Sequence, residues 1–282
     1  MPNASSSSSP QPIVDLRGKR GLVVGIANEH RIAAGCAHAF ARAGARLAAT
    51  YVGPQAKPFV QPVADALGCE LLVPCDVRVP GQLEAVFERI RADWGGLDFL
   101  LHSIAYAPRD DLHGRVTDCS AEGFGIAMDI SCHSFIRVER LAEPLMAHGG
   151  CLLTVTFHGS ERVVEHYNLM GPVKAALESS MRYLAAELGP KGIRAHAISP
   201  GPIRTRAASG LDRFDELLDA AAARAGTPSG GYRRRRPARG LPGQRCRVPH
   251  HRHGDSRRRW RPSRRMTAPL THPPHRFSGA AP

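Results

Sequence analysis

The sequence predicts an α/β fold, a doubly wound parallel sheet in a single domain, and three observations carry the prediction. Short apolar runs alternate with amphipathic helical stretches as far as about residue 224, the pattern of strands joined by crossover helices. The runs are apolar throughout rather than at every second residue, as strands covered on both faces require. The chain has 282 residues and 43% hydrophobic composition, enough for one large core.

Residues 1–16 are rich in Ser and Pro, with the run Ser5 to Ser9, and are expected to form a disordered tail. Strands are predicted at Gly21–Val24, Arg46–Thr50, Glu70–Pro74, Phe99–His102, Cys151–Thr156 and Arg194–Ile198. Helical patterns occupy about 32–44, 58–67, 81–94, 121–147, 167–188 and 212–224. Right-handed crossovers between these units place helices on both faces of the sheet. The domain is thus read as residues 17–224, followed by an Arg- and Pro-rich tail over 225–282 that lacks strand or helix periodicity and is expected to be disordered.

The formal net charge of +13 taken alone suggests an anionic partner such as nucleic acid. Its distribution argues otherwise. Of 38 basic and 25 acidic residues, 15 Arg and a single acid, Asp255, fall in 225–282, which leaves 23 basic and 24 acidic groups in 1–224. The body is close to neutral and no specific nucleic-acid partner is expected; Arg233 to Arg236 and Arg257 to Arg259 would bind polyanions by charge alone. Seven cysteines (Cys36, Cys69, Cys75, Cys119, Cys132, Cys151, Cys246) form no CxxC pair, which argues against a disulfide framework or a metal site and favours a reducing cytoplasm. No run of about 18 apolar residues and no basic-then-apolar leader occurs, so neither a membrane span nor export is expected.

The first strand ends in Gly25 and continues through Ile26-Ala27-Asn28-Glu29-His30-Arg31-Ile32-Ala33 into an Ala-rich helix. A glycine at such a junction lets backbone approach a pyrophosphate, and the helix N-terminus attracts the phosphates. The junction is not a GxGxxG motif, and a glycine that merely turns the chain is an equally good reading of it alone. Asp76, in Cys75-Asp76-Val77, follows the third strand, where its carboxylate can accept a hydrogen bond from an adenine amine. His102-Ser103-Ile104-Ala105 closes the fourth strand, beside the crevice where open α/β sheets bind ligands. For Asp76 by itself a solvated loop carboxylate is the plainer reading; three such sites in series point to a nucleotide.

Tyr167 and Lys174 lie seven residues apart within one predicted helix, so at about 100° per residue they differ by roughly 20° and share a face. An unperturbed phenol titrates at about 10, and a neighbouring ammonium favours the phenolate, which makes the hydroxyl a usable proton donor. A core Tyr beside a Lys with a buried stem is the plainer reading of such a pair taken alone.

The residues around the pair carry a family resemblance. The stretch from Thr154 to Gly210, with HYNLMGPVKAALESS and ISPGPIRTRAASG, resembles the enoyl-acyl-carrier-protein reductases, a divergent branch of the short-chain dehydrogenases with a Rossmann sheet. GIANEHRIA (Gly25 to Ala33), CDV, HSIAYAP and DISCHSF (Asp129 to Phe135) resemble the same family in the same order, and the likeness spans 17 to about 224. Ordinary short-chain dehydrogenases carry Tyr and Lys four residues apart, whereas Gly171 stands four after Tyr167, so a general alcohol or ketone dehydrogenase is the second reading.

The resemblance implies reduction of a trans-2-enoyl thioester on acyl-carrier protein in fatty-acid synthesis, with hydride from NADH rather than NADPH. Thr50-Tyr51-Val52-Gly53 offers neither an acid for the ribose nor an Arg for an extra phosphate, so the choice of NADH rests on the resemblance. It implies that Tyr167 hydrogen-bonds the developing enolate oxygen and that Lys174 holds the nicotinamide ribose. Cofactor contacts are assigned to Gly25, Ala27, Arg31, Ile32, Asp76, Val77, Ser103, Ile104, Ala105 and Lys174, with Ile203 at the carboxamide and Thr205 at the pyrophosphate. Tyr106, Ala107 and Phe157 are assigned to the substrate, and residues 205–224 resemble the segment that closes over the acyl chain. The family forms homotetramers.

The sequence departs from the family at Phe157, where many members have a second Tyr; at Arg31, in place of a small Ser; at Pro200, in place of Ala; and after Ala225, where the penultimate helix and last strand are missing. Permitted codons chosen for Tyr232 to Arg261, read from the second base, spell IDDVGRLAAFLVSDAASRITGTVIPVDGG, an amphipathic helix followed by a β-run. This predicts a frameshift, and with it a poorly folding or inactive product that lacks part of its core and of its tetramer surface. The coding DNA tests it directly: a gene that yields no such helix and strand in either other frame overturns the prediction.

Overall fold

The computed structural model describes residues 14–201. Residues 1–13 of the tail expected over 1–16, the tail expected over 225–282, the helix expected at 212–224, and the site candidates Ile203 and Thr205 lie outside the described residues. Leu16, at the end of the expected N-terminal tail, donates its N–H to the Ala43 carbonyl (2.8 Å) and packs against the core.

Six parallel strands form one sheet in the order β3-β2-β1-β4-β5-β6. They are β1 (Arg20–Val24), β2 (Arg46–Tyr51), β3 (Leu71–Pro74), β4 (Phe99–His102), β5 (Gly150–Val155) and β6 (Ile193–Ile198). Each was predicted to within a residue or two at either end. Alternate residues feed opposite layers: Leu22 and Val24 of β1 and Leu100 of β4 face one layer, whereas Val23, Phe99 and Leu101 face the other. Both layers are apolar, which is why the strands read as unbroken hydrophobic runs.

Helices α1 (Ile32–Arg42) and α2 (Lys57–Leu67) cover one face through Ala33, Ala34, Ala37, Val60, Val63 and Leu67. The other face is covered by α3 (Gln82–Trp94), which contributes Val86, Phe87 and Ile90. After a short α4 (Arg109–Leu112), which the sequence did not predict, the helix expected over 121–147 proves composite. It runs as α5 (Ala121–Met128), a π-helical turn at Asp129–His133, and α6 (Ser134–Ala142), and it ends in a 3-10 turn at Glu143–Leu145, where Pro144 precludes further α-helical bonding. Ser120 caps α5 by accepting from the Gly123 N–H (2.9 Å).

Helix α7 spans Met170–Leu188, three residues shorter at its start than predicted. His166 (φ 62°) and Asn168 (φ 40°) occupy left-handed backbone, which no α-helix accommodates. Tyr167 is therefore held in a turn before α7, and the prediction that it shares a helical face with Lys174 is corrected.

Glu139 on α6 is 1% exposed, and among the described residues neither carboxyl oxygen has a hydrogen-bond partner. Burial, reinforced by the charge of Glu187, pushes its pKa up to about 8 from an ordinary 4.5. The folded state thus keeps a proton that the unfolded chain releases, so this contribution to stability is complete below the unfolded value and is lost as the pH climbs to about 8. Glu139→Gln is expected to abolish the loss. Its stability relative to the parent chain, from urea midpoints, should grow by up to about 1.4 kcal/mol per pH unit across that window; a constant difference would refute the assignment.

Candidate active site

Every described site candidate except Lys174 and Tyr167 lies just beyond the carboxyl end of a strand or at the start of the following helix. Chain direction across the sheet reverses between β1 and β4, which are hydrogen-bonded neighbours, so the crevice for a ligand opens there. At that point Gly25 adopts φ 100°, and a Cβ on it would stand 2.7 Å from the Ser103 carbonyl oxygen and 3.0 Å from Ile104. Only glycine allows the two strand ends to close up so far. The Gly25 N–H donates to Thr50 Oγ1 (3.2 Å), and the Ser103 N–H donates to the Val24 carbonyl (2.9 Å).

Ala27 follows in the loop to α1, Arg31 is the N-cap of that helix, and Ile32 is its first residue. An Arg side chain has no acceptor for the first-turn N–H groups, so no side-chain cap closes the α1 N-terminus. The bare backbone at Gly25 and this helix start together fit the phosphates of a dinucleotide.

Beyond β3, both oxygens of Asp76 accept from the Arg78 guanidinium (3.0 and 2.6 Å), and Oδ1 also accepts from the Arg78 N–H (3.0 Å). These bonds hold the Asp76 carboxyl below its ordinary pKa. An adenine amine reaching Asp76 would share it with Arg78, a residue that the sequence reading missed. Arg78 in turn lies 6.0 Å over the Tyr106 ring, linking the β3 loop to the loop after β4. Val77 is buried, and its carbonyl accepts from Arg137 (2.8 Å).

Tyr167 is buried against Phe157, with ring centroids 4.7 Å apart. Ala107, Val164, Leu169, Met170 and Val173 belong to the same apolar cluster. Burial raises the phenol above its ordinary pKa, so the hydroxyl keeps its proton and stands as a donor. The Lys174 ammonium donates to the Val155 carbonyl at the end of β5 (2.7 Å), and burial lowers its pKa to about 8.

Glu178, one turn beyond Lys174 on α7, was also missed, although its i, i+4 spacing from Lys174 was a usable signal. It accepts hydrogen bonds from the hydroxyls of Thr156 (2.5 Å) and Ser160, which fastens to α7 the loop that carries Phe157. Its charge also supports the protonated form of Lys174.

Residues 25–231 match the family described as Enoyl-(Acyl carrier protein) reductase. The chain belongs to the enoyl-(acyl carrier protein) reductase family. It is 47% identical over 203 residues to enoyl-[acyl-carrier-protein] reductase [NADH] 1 of Rhizobium meliloti (strain 1021), covering 72% of this chain and 75% of that protein. Two solved structures are similar as well. The reductase of Anaplasma phagocytophilum in complex with NAD has a TM-score of 0.69 and 44% identity, over 72% of this chain and 78% of that one. The Bacillus cereus enoyl-acyl carrier protein reductase with NADP+ and indole naphthyridinone has a TM-score of 0.71 and 43% identity, over 76% and 84%.

Within this reductase fold the seat of Tyr167 has one further requirement. A Cβ on Gly159 would fall 2.4 Å from Tyr167 Cδ1 and 3.3 Å from Phe157 Cδ1, so the ring occupies space that a side chain would claim. Gly159→Ala is expected to cost about 1–3 kcal/mol in chemical denaturation. In a double-mutant cycle with Tyr167→Ala most of that cost should vanish; an undiminished cost would place the strain elsewhere.

Proposed function

We propose that this chain reduces trans-2-enoyl thioesters carried on acyl-carrier protein, using NADH, in cytoplasmic fatty-acid synthesis. The observation that carries the reading is the buried Tyr167, packed with Phe157 and Ala107 just before α7, the helix whose Lys174 donates to the end of β5. NADH, when bound, supplies the hydride that reaches the β-carbon. Negative charge then develops on the thioester oxygen, where the Tyr167 hydroxyl donates a hydrogen bond and afterwards the proton that completes saturation.

Lys174 has three N–H donors, and Val155 takes one, leaving two to hold the nicotinamide ribose hydroxyls. With a pKa of about 8 the amine stays largely charged at neutral pH, so it binds and orients rather than acting as a base. Phe157 is an apolar wall without proton chemistry, and Tyr106 and Ala107 border the thioester. The pyrophosphate is assigned to Gly25, Ala27, Arg31 and Ile32 with Thr205, the adenine to Asp76 and Val77, and the nicotinamide end to Ser103, Ile104, Ala105 and Ile203.

NADH rather than NADPH follows the naming of the Rhizobium relative, and the Bacillus structure with NADP+ makes both cofactors worth assaying. The catalytic domain is residues 17–224, and the assembly proposed for a complete fold is a homotetramer. Among the described residues no helix is long and apolar enough to cross a membrane, and no cluster of His, Cys, Asp or Glu is arranged to hold a metal ion.

The test follows NADH and NADPH oxidation with crotonyl-acyl-carrier protein and with a panel of ketones, for the chain as written and for a version with the frame restored near residue 225. The frame-restored chain should oxidise NADH with the enoyl thioester and not with ketones, and the chain as written should be slower. Tyr167→Phe should lower kcat by about 10²–10⁴-fold, whereas Lys174→Ala should chiefly raise the KM for NADH. Reduction of ketones in preference to the thioester would refute the reading.

A further inference from the structure

The π-helical turn Asp129–His133 is joined to α5 on one side and α6 on the other, and it brings the serine of DISCH against the loop that leaves β4. Such turns add one residue to a helix and swing the side chains that follow, which is why they gather where a helix must meet several neighbours at once. Here Ser131 is fully buried, and its Oγ accepts from the Tyr106 N–H (2.9 Å) and donates to the Tyr106 carbonyl (2.9 Å). One hydroxyl thus satisfies both backbone groups of one residue, a task that needs donor and acceptor at a single atom.

The clamped residue lies between two parts of the site. The residue is 47% exposed, with Arg78 over its ring, while the next residue, Ala107, packs in the cluster that seats Tyr167. Ala127, immediately upstream on α5, is buried in that same cluster. The helix that carries Ser131 therefore touches the Tyr167 pocket directly and through the Tyr106 backbone.

We propose that Ser131 is a positioning residue that fixes the Tyr106–Ala107 backbone at the thioester side of the site. The proposal rests on the enoyl-reductase reading and deepens it. Ser131 touches neither reacting atom and acts through Tyr106. It sets where the acyl thioester lies relative to the Tyr167 hydroxyl, and it leaves the nucleotide cradle at Gly25 and α1 unaffected.

The test uses the frame-restored chain as parent, with Ser131→Ala and with Ser131→Thr, which keeps the hydroxyl. Three quantities are measured: hydrogen exchange at the Tyr106 amide, affinity for NAD+, and affinity of the NAD+-loaded protein for crotonyl-pantetheine. Ser131→Ala should speed Tyr106 exchange and weaken the thioester by about three- to tenfold, the loss expected for a removed hydrogen bond. NAD+ affinity should stay within about twofold, and Ser131→Thr should restore both properties. Unchanged thioester affinity in Ser131→Ala, or a parallel loss of NAD+ and thioester binding in both variants, overturns the proposal. A parent chain that binds NAD+ but not the thioester overturns the enoyl-reductase reading instead, which separates the two failures.

Discussion

The site depends on a buried imidazole that must stay neutral. His102 ends β4 with no solvent exposure, and its Nε2 lies 2.8 Å from Ser134 Oγ. The Ser134 hydroxyl gives its one hydrogen to the Ile130 carbonyl (2.6 Å), so Nε2 must carry the proton and Nδ1 must accept from the Thr154 hydroxyl (3.3 Å). Burial, with the charge of Lys174 adding, depresses the pKa to about 3. A charged ring here would force the Thr154 hydroxyl to turn from donor to acceptor and would hold a cation away from solvent. The neutral tautomer thereby ties β4, β5 and the π-helical turn together one residue before the Ser103 loop.

The same desolvation acts on the two groups proposed for chemistry, with opposite consequences for charge. It holds the Tyr167 phenol protonated, and it lowers Lys174 toward neutrality without reaching it. Glu178 limits the second effect while its Oε1 accepts from Thr156 and Ser160. The ammonium donates instead to the Val155 carbonyl. A direct ion pair would have consumed one of the two donors proposed for the ribose hydroxyls.

The sheet was legible because strands buried on both faces leave unbroken apolar runs, and the crevice was legible because small residues cluster at strand ends. Tyr167 was misplaced because apolar periodicity continues smoothly from Leu169 into α7, while the interruption is a matter of backbone dihedrals at His166 and Asn168. Asn tolerates the left-handed region, so HYN held a weak clue. The π-helical turn was invisible for a related reason: one added residue hardly changes a pattern in which Ile130, Phe135 and Val138 are all buried. Arg78 and Ser131 escaped notice because their partners, Asp76 and the Tyr106 backbone, are chosen by loop geometry rather than by spacing along an element.

The C-terminal boundary can be argued from two directions that share no assumption. The family match ends at residue 231, which is a statement about the encoded residues before the tail. The stretch whose second-base reading spells a helix and a strand begins at Tyr232, which is a statement about codons permitted for the residues after it. A tail acquired for polyanion binding would give no reason for those positions to coincide, nor for Arg and Pro to encode Leu, Ala, Val and Ile in register when displaced by one base. A change of frame would account for both, and on that reading the +14 charge of 225–282 is a by-product of the shifted frame rather than a binding function.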